Sequence, residues 1–130
     1  MGTRFLLDTN SIIYYLDNAL PRAASIFLDG ALDDEAYISV ISKIELLGWN
    51  PPEGTSLETV KDFVDKATIL QLDDAVVQKT IDIRRSKRIK LPDAIIAATA
   101  LVNGLEIISR NTSDFSGIAG LNCYDPFTDF

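Results

Sequence analysis

The sequence predicts an α/β protein in which a mainly parallel sheet is covered by helices on both faces. Short apolar segments, such as residues 4–7 and 105–109, alternate along the chain with segments of helical periodicity. Residues 94–102 are apolar nearly all round, which is typical of a buried helix. Strands that alternate with helices form parallel sheets, and these sheets bind ligands beyond the carboxyl ends of the strands. The carboxyl ends of the predicted strands are therefore the first place to look for function.

The individual elements follow from local signals in chain order. Strands are predicted at residues 4–7, 36–40, 68–72, 105–109 and 121–124. A first helix is predicted after Asp8, with Thr9, Asn10 and Ser11 as candidate N-caps. Further helices are predicted at residues 21 to about 29, 41–49, 56–66, 73 to about 87 and 92–102. The chain of 130 residues suits one domain, residues 1–130.

The residue types that are missing limit the possible chemistry. The chain has no histidine and one cysteine, Cys123. Histidine-dependent triads, histidine-ligated zinc and cysteine-rich zinc sites are thereby excluded. We expect Cys123 to be a buried small apolar residue near the end of a strand. Any bound metal must be held by oxygen, which favours Mg²⁺ or Mn²⁺.

The net charge of −7 argues against broad, sequence-indifferent binding of nucleic acid. The basic residues are nevertheless concentrated within residues 84–90, where Arg84, Lys87 and Arg88 are predicted to share a helical face. This cluster could contact phosphate groups, or it could be a solvated helix end that complements the helix dipole. The sequence has no apolar run of about 18 residues and no signal-peptide pattern near Met1, so we expect a cytoplasmic protein.

Four carboxylates stand at positions that suit a ligand site. Asp8 and Asp114 each follow a predicted strand, Asp93 begins the most apolar helix, and Glu45 shares a helix face with Ser42. Each has a structural alternative: Asp8 as an N-cap, Glu45 as a solvated side chain, Asp93 as a dipole-compensating residue and Asp114 as a turn residue. If the four converge, they need a cation, because carboxylates a few ångströms apart do not all stay ionised alone.

The segments that carry these carboxylates resemble the PIN-domain nucleases, specifically VapC-type toxins of toxin–antitoxin pairs. The matching stretches are residues 5–10, 38–46, 91–100 and 109–115, in the family's order and at its usual separations. Ser109 stands where many relatives have threonine, and both side chains offer a hydroxyl.

This resemblance implies a three-layer α/β/α sandwich and a Mg²⁺- or Mn²⁺-dependent ribonuclease that uses one or two ions. It implies a homodimer and a cognate antitoxin that covers the active site. By motif, the acidic metal site is Asp8, Glu45, Asp93 and Asp114, and the supporting residues are Thr9, Asn10, Ser42 and Asn111. Candidate contacts to RNA phosphates are Arg84, Lys87, Arg88 and Arg110.

Two other functions remain open from the sequence. One is a PIN nuclease of RNA processing or DNA repair that has no antitoxin. The other is a non-catalytic module that binds RNA or protein and uses its carboxylates for structure. A nuclease assay with an Asp8→Asn variant separates catalysis from binding.

Overall fold

A computed structural model describes residues 3–52, 54 and 56–130 of the chain. The five strands are β1 (Phe5–Leu7), β2 (Tyr37–Ser39), β3 (Thr68–Leu70), β4 (Glu106–Ile108) and β5 (Cys123–Tyr124). They form one sheet in the order β3-β2-β1-β4-β5, and all four strand pairs are parallel. The predicted parallel α/β fold is confirmed.

In the part of the chain that the structure describes, seven helices connect and flank the strands. They are α1 (Thr9–Leu16), α2 (Arg22–Asp34), α3 (Val40–Leu47), α4 (Leu57–Lys66), α5 (Asp74–Ser86), α6 (Leu91–Asn103) and α7 (Thr112–Phe115). The short helix α7 was not predicted, because its four residues are too few to show helical periodicity.

Adjacent residues of the central strands supply the two halves of the core. Leu6 and Ile107, which are paired in register, belong to one buried cluster that includes residues of α5 and α6. The next pair, Leu7 and Ile108, belongs to a second cluster that includes residues of α1, α2, α3 and α4. Successive side chains of a strand point to opposite faces, so the sheet is buried on both sides. This explains why the strands are continuously apolar rather than alternating.

Several predicted helix boundaries differ from the structure. Asp8, and not Thr9, Asn10 or Ser11, is the N-cap of α1, because its extended backbone lets its side chain accept a hydrogen bond from the Ser11 amide. Helix α2 continues past Asp29 to Asp34, and its interior tolerates Gly30. Helix α3 ends at Leu47 instead of residue 49, with Gly48 as its C-cap.

Trp49 and Cys123 can now be assigned to their surroundings. Trp49 is half-buried and packs against the cluster of α1 to α4, so it covers the core beyond the end of its helix. Cys123 lies in β5 as predicted but is only half-buried, and burial raises the pKa of its thiol to about 11. No helix in the described part of the chain is long and apolar enough to cross a membrane.

Gly104 ends the buried helix α6 in a left-handed conformation, with φ of 69°. A Gly104→Ala variant is expected to lose about 1–2 kcal/mol of unfolding free energy, because a side chain disfavours this conformation. Nothing lies within 4 Å of the added methyl group, so backbone strain is the whole effect.

Gly30→Ala is the matched control, since Gly30 lies inside α2 and also has open space around its Cα. Urea unfolding should show it to be more stable than the wild type by about 0.5–1 kcal/mol. If both substitutions lowered the unfolding free energy, the conformational argument would be wrong.

Candidate active site

Asp8 lies at the carboxyl end of the central strand β1 and is 93% buried. One of its side-chain oxygens accepts a hydrogen bond from the Ser11 amide (2.9 Å), and the other accepts one from Ser109 Oγ (2.5 Å). Ser109 is itself fully buried at the end of β4 and also accepts a hydrogen bond from the Asn111 amide. The N-cap alternative for Asp8 is therefore correct and compatible with a site role, because the carboxylate keeps a fixed orientation at the sheet edge.

Glu45 projects from α3 and is connected to the start of α1. Thr9 Oγ1 donates a hydrogen bond to Glu45 Oε1 over 2.6 Å, and Ser42 Oγ lies 3.0 Å from Thr9 Oγ1. Since the Thr9 hydroxyl has one hydrogen to donate, Ser42 is the donor to Thr9. Ser42 is fully buried, so this relay fixes the exposed Glu45 carboxylate from inside the protein.

Asp114 lies in α7, immediately before the fully buried Phe115. Asn111 Nδ2 donates a hydrogen bond to Asp114 Oδ2 over 2.6 Å. The backbone N–H of Asn111 also donates a hydrogen bond to Ser109 Oγ. A continuous set of hydrogen bonds therefore joins Asp8 to Asp114 through Ser109 and Asn111. The alternative of Asp114 as a plain turn residue does not describe this arrangement.

Asp93 lies within electrostatic range of the other three carboxylates. Burial, followed by the charges of Asp114 and Asp8, a hydrogen bond with Asp114 and the charge of Glu45, raises the pKa of Asp93 to about 6. An electrostatic effect from three carboxylates on different elements requires them to lie near the beginning of α6. The structure therefore brings the four predicted acidic residues to one edge of the sheet.

The donor set suits a hard divalent cation. It consists of carboxylate oxygens, and mutual repulsion among them is what a cation would relieve. Among residues 3–52, 54 and 56–130, no three His, Cys, Asp or Glu side chains form a ready-made set of metal ligands. The four residues therefore fit a divalent cation by their negative charge and by their oxygen ligands.

Two grooves meet at the exposed Asn10 in the first turn of α1. One groove, of about 460 Å³, contains Glu45 and continues along Ile13, Ile44 and Trp49. The other, of about 300 Å³, is lined by Asp8, Asn10, Tyr14, Arg110 and Asn111. Asn10 therefore separates two surfaces that lead away from the acidic cluster in different directions.

A larger cavity of about 860 Å³ lies elsewhere and contains none of the four acidic residues. Its lining includes Glu35, Ala36 and Thr68, which stand at or before the amino ends of β2 and β3. Its size does not make it the functional site, because parallel sheets bind ligands at the opposite, carboxyl ends of the strands.

The predicted basic face of α5 is wrong, because the helix ends at Ser86 and Lys87 has an extended backbone. Arg84 and Arg88 are exposed. Lys87 instead donates hydrogen bonds from Nζ to the carbonyl oxygens of Ser113 (3.0 Å) and Ser116. These carbonyls flank Asp114 and Phe115, so Lys87 anchors α7.

A Lys87→Met variant should loosen α7 without unfolding the domain. It leaves two carbonyls without their charged donor, so we expect a loss of about 1–2 kcal/mol in unfolding free energy and faster amide exchange at residues 112–116. Hydrogen–deuterium exchange measures the local effect. Lys90→Met is the matched control, since Lys90 is exposed and its side chain makes no capping bond; equal exchange in both variants would contradict the anchoring role.

Sequence reasoning missed three residues around Asp8. Ser109 was noted only as a position where many relatives have threonine, and Tyr14 was not among the predicted site residues. Phe127, from the C-terminal segment, packs against both Tyr14 and Arg110 and carried no sequence signal. A sequence signal for Ser109 was available, because its hydroxyl directly follows β4. Strand β4 pairs with β1, which is followed by Asp8.

Comparison with known proteins identifies the family. The profile of the PIN domain matches residues 5–121. No curated protein matches the chain at a significant level.

Several solved structures have the same fold. The chain is 29% identical to one from a toxin–antitoxin complex of Klebsiella pneumoniae, with a TM-score of 0.71 and coverage of 94% of this chain and 97% of the other. It is 25% identical to one from DNA-bound VapBC of Salmonella typhimurium, with a TM-score of 0.78 and coverages of 95% and 98%. VapBC-1 of nontypeable Haemophilus influenzae shares the fold at 22% identity, with a TM-score of 0.74 and coverages of 95% and 98%. The chain therefore belongs to the PIN domain family, and these neighbours confirm the VapC-type resemblance predicted from its sequence, which implies ribonuclease activity.

Proposed function

We propose that this protein is a metal-dependent endoribonuclease and the toxin of a type II toxin–antitoxin pair. Its active site consists of Asp8, Glu45, Asp93 and Asp114, which would hold one or two Mg²⁺ or Mn²⁺ ions. The observation that carries the proposal is that Asp93 is partly buried and lies within electrostatic range of the other three carboxylates; burial first, and then their charges, raise its pKa to about 6. So much negative charge at the carboxyl edge of a parallel sheet favours a cation, and a cation held there would attract the phosphate of a phosphodiester substrate.

A bound divalent ion would lower the pKa of a water molecule and stabilise charge on the leaving 3′-oxygen. The protein's own part is to orient the ligands. Ser109 and the Ser11 amide hold both oxygens of Asp8, and the relay from Ser42 through Thr9 holds Glu45. Asn111 holds Asp114. Because these contacts exist before substrate binds, little reorganisation is needed during the reaction.

The raised pKa of Asp93 also lets this carboxyl group take up and release a proton near neutral pH. A carboxyl group with a pKa of about 6 exchanges a proton near neutral pH, whereas an ordinary aspartate is fully ionised there. In the metal-free protein, Asp93 is therefore the group that takes up a proton as the pH falls toward 6.

The proposed biology follows from the neighbours of the chain. Two of these neighbours come from VapBC structures, and the third comes from a toxin–antitoxin complex. We accordingly expect a cognate antitoxin, encoded nearby, that covers the active site, and a homodimer of this chain. A PIN nuclease of RNA processing or DNA repair would lack that antitoxin.

The test is cleavage of a mixed RNA pool by purified, antitoxin-free protein with Mg²⁺ or Mn²⁺, and with EDTA. Glu45→Gln and Asp114→Asn should each abolish cleavage, because each removes a proposed ligand. Glu58→Gln is the matched control, since Glu58 is an exposed residue in the first turn of α4.

Cleavage that needs metal and is lost in both site variants would support the proposal. Cleavage that persists in both variants would refute the site. Folded protein that binds RNA but never cleaves it would favour the non-catalytic module.

A further inference from the structure

Arg110 lies two residues beyond the end of β4, between Ser109 and Asn111, which join Asp8 to Asp114. Its guanidinium carbon lies 4.1 Å from the centroid of the Phe127 ring. A planar guanidinium at this distance is attracted to the face of the ring by a cation–π interaction. The side chain is exposed, yet the ring restricts where its charge can lie.

Phe127 is itself fixed by the turn that follows β5. Its backbone amide donates a hydrogen bond to Asp125 Oδ1 over 2.8 Å, and the Asp125 amide donates one to Asp129 Oδ2 over 2.7 Å. The ring also meets Tyr14 edge to face, with centroids 5.3 Å apart at 87°. The C-terminal turn on one side and Tyr14 on the other therefore hold the Phe127 ring against Arg110.

The groove beside this ring leads to the acidic cluster. Arg110 and Tyr14 line it together with Asp8, Asn10 and Asn111. In the described part of the chain, Arg110 forms no ion pair, and its recorded partner is the uncharged Phe127 ring. Arg110 thus places a positive charge in the groove that Asp8 also lines, without pairing with Asp8, which leaves the charge available for an anion.

We propose that Phe127 is a positioning residue that holds the Arg110 guanidinium in the groove beside Asp8, where it binds a backbone phosphate of the RNA substrate. This inference rests on the proposed ribonuclease function and assigns that function a substrate-binding subsite. The flat fork of the guanidinium donates two hydrogen bonds to a phosphate, whereas a lysine supplies only a charge. Such a contact allows a protein of net charge −7 to take a polyanion at one place on its surface.

RNA is favoured over an acidic protein segment because of what else lines the groove. Asp8 and Asn111 belong to the proposed catalytic cluster, and a phosphodiester must reach that cluster to be cleaved. A strand whose scissile phosphate lies at Asp8 passes Arg110 with a neighbouring phosphate. An acidic peptide offers this cluster no phosphodiester to cleave.

The test is binding of a fluorescent single-stranded RNA to the cleavage-deficient Asp93→Asn protein at several salt concentrations. Arg110→Gln should weaken binding about tenfold and reduce the slope of log K against log salt by about 0.7, the value for one phosphate contact on a single strand. Phe127→Leu should weaken binding about three- to tenfold, because the guanidinium loses its support. Phe127→Tyr keeps the ring and should bind as the parent does.

A double substitution separates positioning from an independent contact. If Phe127 acts through Arg110, Phe127→Leu should have no further effect in the Arg110→Gln protein. The same loss in both backgrounds would overturn the positioning role. Phe130→Leu is the matched control, since the Phe130 ring packs on Phe27 instead, and Arg22→Gln removes an exposed charge from α2.

If Phe127→Leu does not fold, Arg110→Lys carries the test. It keeps the charge but not the stacked fork, so binding should weaken several-fold with the salt slope unchanged. Wild-type affinity and slope in Arg110→Gln would refute the subsite, even where the wild-type protein cleaves RNA. Binding that depends on Arg110 in a protein that never cleaves would support the subsite and refute the proposed function.

Discussion

Asp93→Asn is expected to give a protein that folds more stably than the wild type in metal-free buffer at pH 7.5 but has lost RNA cleavage. The activity should fall by about 1000-fold or more, because an amide is a poor substitute for an anionic metal ligand. The stability should rise because the substitution removes a charge that is unfavourable in the fold, first because it is partly buried and then because neighbouring carboxylates repel it. An active-site residue would thus carry a cost to folding that only a bound cation offsets.

The direction of the pH dependence follows from the two pKa values of Asp93. Its pKa is about 6 in the folded protein and about 3.9 in the unfolded chain. Between these values the folded state binds more protons, so stability falls as the pH rises from about 4 to 6 and stays lowered above it. Asp93 is only half-buried, and solvent screening limits the penalty to about 1 kcal/mol. The gain from Asp93→Asn should therefore be present at pH 7.5 and absent at pH 4.

Thermal unfolding in EDTA and in Mg²⁺ measures both effects. Mg²⁺ should raise the melting temperature of the wild type and leave that of Asp93→Asn nearly unchanged. Asp62→Asn is the matched control, since Asp62 is exposed on α4, far along the chain from the cluster. A variant that is less stable than the wild type at pH 7.5 in EDTA would show that burial and repulsion of the Asp93 charge do not destabilise the fold.

The fold could be predicted from the sequence because its signals are local. Each central strand is an apolar run, and α6 carries both a proline in its first turn and a glycine at its C-cap. Helix α7 could not be predicted in this way, because its four residues show no periodicity and Lys87, whose side chain binds it, lies 26 residues before Ser113 in the chain. The end of α5 was misplaced for a related reason: Lys87 leaves the helix, and its side chain binds α7.

The candidate site also has parts that could be predicted from the sequence and parts that could not. Its four carboxylates stand in motifs that can be recognised in the chain, but the motifs do not contain the contacts that orient them. Ser109 and Asp8 are separated by 101 positions and meet only because β4 pairs with β1. Likewise, Phe127 reaches Arg110 only because the chain turns back after β5. The local sequence pattern therefore identifies the proposed metal ligands, and the sheet topology brings the residues that orient them into contact.

Ser109→Ala is expected to reduce the kcat of RNA cleavage about 10- to 100-fold, the usual effect of removing a residue that orients a metal ligand. Ser109 Oγ donates to Asp8 and accepts from the Asn111 amide, so one hydroxyl links the two sides of the acidic cluster. Because Ser109 is fully buried, its loss also leaves polar groups without partners. We expect a decrease of about 1–3 kcal/mol in unfolding free energy.

Ser109→Thr separates the hydroxyl from the serine side chain as such. It keeps the donor and acceptor, and should therefore restore kcat to within a few-fold of the wild type, whereas KM should change little in either variant. Ser86→Ala is the matched control, because Ser86 Oγ bonds only to the Ile83 carbonyl of its own helix. Steady-state cleavage and urea unfolding of the three variants give the answer. If Ser109→Ala kept the wild-type kcat while losing stability, the hydroxyl would serve the fold alone, and Asp8 would be held well enough by the Ser11 amide.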